Sequence, residues 1–270
     1  MIQTVNSNIY PDFPNLVIDF DRKIELYMDS LNGFSSYSKA FKIFYLNETV
    51  GIQELKYWLI ENYHLFDLII THHQDILNLC PNAHLLVRGT TWIQEFDLNS
   101  KKEFSISNLA GEKNMLFGHR LRNQIHYKQE KINIPKNFFV GNRPGSPEAF
   151  DGNKVLVAEK NPIYTSQFNF AFENIKQDNW FTEKLIDCFV TKTIPIYYGC
   201  PNIEKWFNMD GIIVINTLQE AIDAANSLTE ETYKNKLEAV EDNFLRAQQY
   251  KTVDDRLREL LICLIKNPQV

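Results

Sequence analysis

The chain has 270 residues, 44% of them apolar and 13% aromatic. That is enough for one large α/β domain or two moderate ones, and it excludes an intrinsically disordered protein. The formal net charge of −6 argues against a general nucleic-acid binder but not against a nucleotide, whose diphosphate needs only a few local cations.

No run of about 18 consecutive apolar residues occurs. The opening stretch MIQTVNSNIYPDFPNLVIDFDRK lacks a basic region leading into an apolar core. A soluble cytoplasmic protein, at most peripheral to a membrane, is therefore expected. In chain order, Leu16–Phe20 and Phe41–Leu46 read as strands by their β-branched and aromatic content. Ile52, Leu55, Leu59 and Ile60 fall at helical spacing within 52–63. Strands are predicted over 65–70 and 84–89, and this alternation implies a parallel sheet with covering helices. The polar stretch Asp97–Glu103 is the predicted interdomain connection. Beyond it come a strand at 104–107, a helix over 119–131 and a Gly/Pro/Asn-rich surface loop over 137–153. Strands are then expected at 168–172, 193–199 and 211–215, and helices over 217–228, 229–249 and 252–266. The expected outcome is two α/β halves, residues 1–100 and 101–270, with the last helix packing back on the first half. Cys80, Cys188, Cys200 and Cys263 form no CxxC pair, so buried free thiols are expected rather than a zinc site or a disulfide framework.

The segment from Phe168 to Pro201 carries the most chemistry. It reads as an apolar strand, a polar loop, a helix opening on Thr182-Glu183-Lys184 and a second apolar strand ending at Gly199. Such a unit holds anions at the helix N-terminus, and Thr182 is a good N-cap. Lys184 in the first turn opposes the helix dipole, which makes sense opposite a phosphate. Local pattern leaves open a solvated surface lysine, a Glu183 that only complements the dipole, and an Asn174 that only makes an Asx-turn. Glu173 and Asn174 emerge where a strand ends, the edge at which open α/β sheets bind ligands. Arg120, Arg122 and Lys128 offer further cations on the helix over 119–131. His119 and His126 read as structural or solvated. Asp254-Asp255 falls in a helical stretch, and no Asp-x-Asp follows a strand.

The segment resembles the donor-site motif of the α1,3/α1,4-fucosyltransferases, glycosyltransferase family 10. The matching residues are Phe172-Glu173-Asn174, a spacer from Ile175 to Trp180, Thr182-Glu183-Lys184 and Thr193-Ile194-Pro195-Ile196-Tyr197-Tyr198-Gly199. The resemblance covers about 104–216 well and the preceding residues thinly. It implies a GT-B fold, two facing Rossmann-like domains, and an inverting enzyme transferring fucose from GDP-fucose to a glycan hydroxyl. Lys184 would bind the diphosphate, with Glu173, Asn174, Trp180 and Glu183 around the nucleotide sugar. Arg122, with Arg120 in reserve, would be the second cation, Arg being suited to bidentate phosphate contact. The general base would be Glu48, after the strand at 41–46. His72 and His73 are candidates for acceptor contact, although a satisfied loop histidine is as good a reading. No metal is expected to be obligatory. The alternatives are transfer from another nucleotide sugar such as GDP-mannose, or a non-catalytic glycan- or nucleotide-binding protein of the same fold.

Overall fold

The computed structural model describes residues 2–5, 22–49 and 54–266. The chain divides into two compact units: Met1–Arg88 with Thr252–Val270, and Gly89–Lys251. The division falls before the polar stretch Asp97–Glu103. Lys102 in that stretch ties it into the second unit, donating to Tyr164 O and, at 2.7 Å, to Thr193 Oγ1.

In the first unit, strands β1 (Ile2–Val5), β2 (Ile24–Met28), β3 (Phe41–Leu46), β4 (Leu68–Thr71) and β5 (Ala83–Leu85) form a parallel sheet in sequential order. Strand alternation sorts its side chains onto two faces. Ile24, Leu26, Met28, Ile43, Tyr45 and Ile70 pack with Val253, Leu257, Leu261 and Leu264 of the last helix, α8 (Val253–Lys266). Tyr27, Phe44, Leu46 and Ile69 pack with Leu59 of α1 (Leu55–Asn62) and Ile76 of α2 (Gln74–Leu79). The predicted strand at 16–20 and the start of the predicted helix at 52 lie outside the described residues.

In the second unit, β6 (Glu103–Ala110), β7 (Lys136–Gly141), β8 (Lys154–Leu156), β9 (Ser166–Phe172), β10 (Ile194–Tyr198) and β11 (Ile213–Val214) form a parallel sheet in the order β11-β10-β9-β6-β7-β8. Phe168, Phe170 and Phe172 of β9, with Ile194 and Ile196 of β10, face Leu121 and Ile125 of α3 (Phe117–Tyr127) and Ile222 of α5 (Leu218–Asn226). Helix α4 (Glu183–Val190) contributes Phe189 to an aromatic cluster with Phe207, which Phe181 and Tyr250 complete.

Several expectations need correction. Residues 137–141 are the buried strand β7 and not loop, because Phe138-Phe139-Val140 supplies just enough apolar surface before the Gly- and Pro-rich run begins. The single helix predicted over 229–249 is two, α6 (Glu230–Lys234) and α7 (Leu237–Ala247). The last strand shortens to Ile213–Val214. Cys80, Cys188 and Cys200 are buried thiols, but Cys263 is exposed. Among the described residues no helix is long and apolar enough to cross a membrane.

Candidate functional site

The strand order of the second sheet reverses at β6: β7 and β8 lie on one side of it, β9 to β11 on the other. In an open parallel sheet such a switch point splays the connections and leaves a crevice beyond the strand ends, where ligands bind. A cavity of about 190 Å³ lies there. Its lining includes Gly111 and Lys113 after β6, Arg122 on α3, Phe172 at the end of β9, and Glu183 and Lys184 opening α4. Lys113, Arg122, Lys160 and Lys184 face two carboxylates, Glu112 and Glu183, so the lining is cationic on balance.

The sequence builds this corner through capping. Thr182 is extended and caps α4, its Oγ1 accepting from Lys184 N at 3.4 Å. Glu173 holds Thr182 in turn, Oε1 accepting from Thr182 N at 2.7 Å and Oε2 from Thr182 Oγ1 at 2.8 Å. Glu173 is fully buried; burial raises its carboxyl, and Lys184 at 3.7 Å opposes that rise. Glu173 therefore does not line the cavity; it fixes the loop that aims α4. Lys184 Nζ donates to Thr182 Oγ1 at 3.0 Å and Glu183 Oε1 at 3.1 Å, which places the ammonium at the helix mouth. Burial would raise the Glu183 carboxyl, but Lys184 and Lys160 beside it outweigh burial and hold it at about 2.

Arg122 sits in the middle of α3. Its guanidinium reaches the strand end, Nη1 donating to Phe172 O and Nη2 to Asn174 Oδ1 at 3.1 Å. Helix and strand approach closely because residue 118 is glycine: a Cβ there would lie 1.7 Å from Glu173 O, and Gly118 N donates to Asn174 O at 2.9 Å. Arg120 is exposed, donates to Met115 O at 2.7 Å and is absent from the cavity wall. Trp180 is also away from the cavity, 4% exposed and packed.

Sequence reasoning passed over Lys113, Lys160 and Trp92, which line the cavity, and read His119 as structural or solvated. His119 is buried, and its Nδ1 accepts from Leu116 N at 3.2 Å, which leaves the proton on Nε2. Burial, then Arg122, Lys113 and Lys184, depress it to about 4. Lys160 bridges Glu183 at 3.8 Å and the buried Asp187 at 3.5 Å, its ammonium 3.9 Å over the Trp92 ring. Lys113 could have been found from its place after a strand; Lys160 and Trp92 carry no local signal.

In the first unit Glu48 follows β3, half-buried. Asp29 Oδ1 accepts from Glu48 N at 3.0 Å, and His73 Nε2 lies 2.9 Å from Glu48 O. His72 and His73 are buried, their rings 4.3 Å apart and tilted by 33°, and both are shifted down chiefly by burial, so both are neutral. Among the described residues no group of three His, Cys, Asp or Glu side chains is arranged to hold a metal ion.

No family model matches the chain. A stretch of 83 residues is 37% identical to the α-(1,3)-fucosyltransferase FucT of Helicobacter pylori, spanning 29% of this chain and 17% of that protein. A crystal structure of an α1,3-fucosyltransferase superimposes with a TM-score of 0.54 at 18% identity, covering 86% of this chain and 79% of that one. Its counterpart with GDP-fucose covers 95% and 81%, with a TM-score of 0.51 at 18% identity. The apo structure of OtsA gives 0.60 at 8% identity, covering 92% and 74%. The fold is that of the GT-B glycosyltransferases, α/β with two parallel sheets.

Proposed function

We propose that this chain is an inverting glycosyltransferase that moves fucose from GDP-fucose to a hydroxyl group of a glycan. The observation that carries this reading is the cationic cavity at the switch point of the second sheet, with Lys184 in the first turn of α4. The short match to a fucosyltransferase supports the choice of donor. The diphosphate would lie against Lys184, the positive end of the α4 dipole and Arg122. Glu183, ionised at neutral pH, would accept hydrogen bonds from ribose hydroxyls. Asn174 lies outside the cavity lining and would act by holding the Arg122 guanidinium through Oδ1. As the C1–O bond to the diphosphate breaks, its electron pair leaves with GDP, and these groups stabilise the developing charge. The acceptor oxygen attacks C1 from the opposite face, and Glu48 takes its proton.

Calorimetry tests the first half: GDP should bind and UDP should bind more weakly. GDP-fucose should then support transfer to a panel of free oligosaccharides. Equal binding of both nucleotides, or turnover only with GDP-mannose, would overturn the donor assignment. Glu48→Gln should keep GDP affinity while transfer falls by ~10²–10⁴-fold, the usual contribution of a general base. Near-normal turnover would reassign the base.

A further inference from the structure

We propose that Asp29 is a positioning residue for Glu48, gripping through one carboxylate oxygen the backbone that carries the base. This rests on the reading of Glu48 as the base. Asp29 directly follows β2 and has φ 49°, a left-handed conformation that few residues other than glycine adopt. A glycine would take that φ without strain, so the side chain is what the position retains. Its N–H donates to Tyr45 O at 3.1 Å, keeping the turn attached to β3. Its Oδ1 accepts from two successive backbone amides, Asn47 N at 2.8 Å and Glu48 N at 3.0 Å. The residue is 8% exposed, so both bonds are shielded from water.

The peptide unit on the other side of the Glu48 Cα is also held. Glu48 O accepts from His73 Nε2 at 2.9 Å, and Tyr45 Oη donates to Asn47 Oδ1 at 2.9 Å. Glu48 is thus fixed at its N–H by β2 and at its carbonyl by the residues after β4. A base that must meet a hydroxyl proton gains from such fixing, because small misplacements cost rate steeply. The two amide bonds need an acceptor and not a charge. Asparagine, which also tolerates this φ, would keep them; alanine would not.

The test combines amide hydrogen exchange with a double-mutant cycle on the full chain. In Asp29→Ala the Asn47 and Glu48 amides should exchange at least about tenfold faster, while Asp29→Asn keeps them protected. GDP release from GDP-fucose, with the oligosaccharide panel as acceptor, should fall about tenfold or more in kcat in Asp29→Ala at unchanged GDP affinity. It should be near wild type in Asp29→Asn. In a Glu48→Gln background Asp29→Ala should cost nothing further, since a residue acting through Glu48 has nothing left to position. An equal loss in both backgrounds, or protected amides in Asp29→Ala, would overturn the proposal. Near-normal turnover in Glu48→Gln would sink the base reading and this role with it. That differs from failure of Asp29 alone, which leaves Glu48→Gln inactive and Asp29→Ala normal.

Discussion

Replacing Lys184 by alanine removes the ammonium at the mouth of α4 and little else. A unit charge about 4 Å from a phosphate oxygen is worth about 4 kcal/mol at an effective dielectric of about 20. Lys184 already bonds Glu183 at 3.1 Å and Thr182 at 3.0 Å, so a diphosphate must share it. The positive end of the α4 dipole remains in the variant and keeps part of the attraction. The net loss should be about 2–3 kcal/mol, in line with a hydrogen bond to a charged group. That is roughly a 30- to 150-fold rise in the Kd for GDP, measured by calorimetry at fixed ionic strength. The fold should survive, because Glu173 keeps both of its bonds to Thr182 and Glu183 keeps Lys160 at 3.8 Å. A folded Lys184→Ala protein with wild-type affinity for GDP would refute the placement of the diphosphate.

Gly118→Ala should destabilise the second unit by about 2–4 kcal/mol, from overpacking and the loss of one hydrogen bond. The new methyl would sit 1.7 Å from Glu173 O and must push α3 off the end of β9. Urea denaturation measures this, and wild-type stability would contradict the close approach. Acid should also weaken the fold through His119. Its folded pKa, about 4, lies below the unfolded value of about 6.5, so the unfolded chain takes up the proton first. The contribution is fully present above about pH 6.5 and is lost as pH falls toward about 4. Buried carboxyls such as Asp29, raised to about 6, work in the opposite direction. The measurement is therefore the stability difference between wild type and His119→Asn, which should shrink from about pH 7 to about pH 5. A difference that is flat or grows with acid would refute the neutral, shielded imidazole.

The sequence alone determined the α/β class and the corner built by Thr182, Glu183 and Lys184. These depend on local physics: apolar runs of strand length, a threonine cap and a charge in a first turn. It did not determine which polar residues face the ligand. Glu173 and Trp180 belong to the recognised segment, yet tertiary packing turns one toward the cap of α4 and the other into the core. Arg120 and Arg122 are indistinguishable by local pattern, but only Arg122 lies on the side of α3 that meets the end of β9. Lys160 joins the cavity lining from a place with no local mark, because strand order brings distant segments together. The first break was hidden, falling after Arg88 and not in the polar stretch 97–103, whereas the return of the last helix to the first unit was expected. Thr252–Val270 groups with the first unit because Val253, Leu257, Leu261 and Leu264 find their apolar partners on the first sheet. Periodicity says that a helix buries one face, and only the folded chain decides against what.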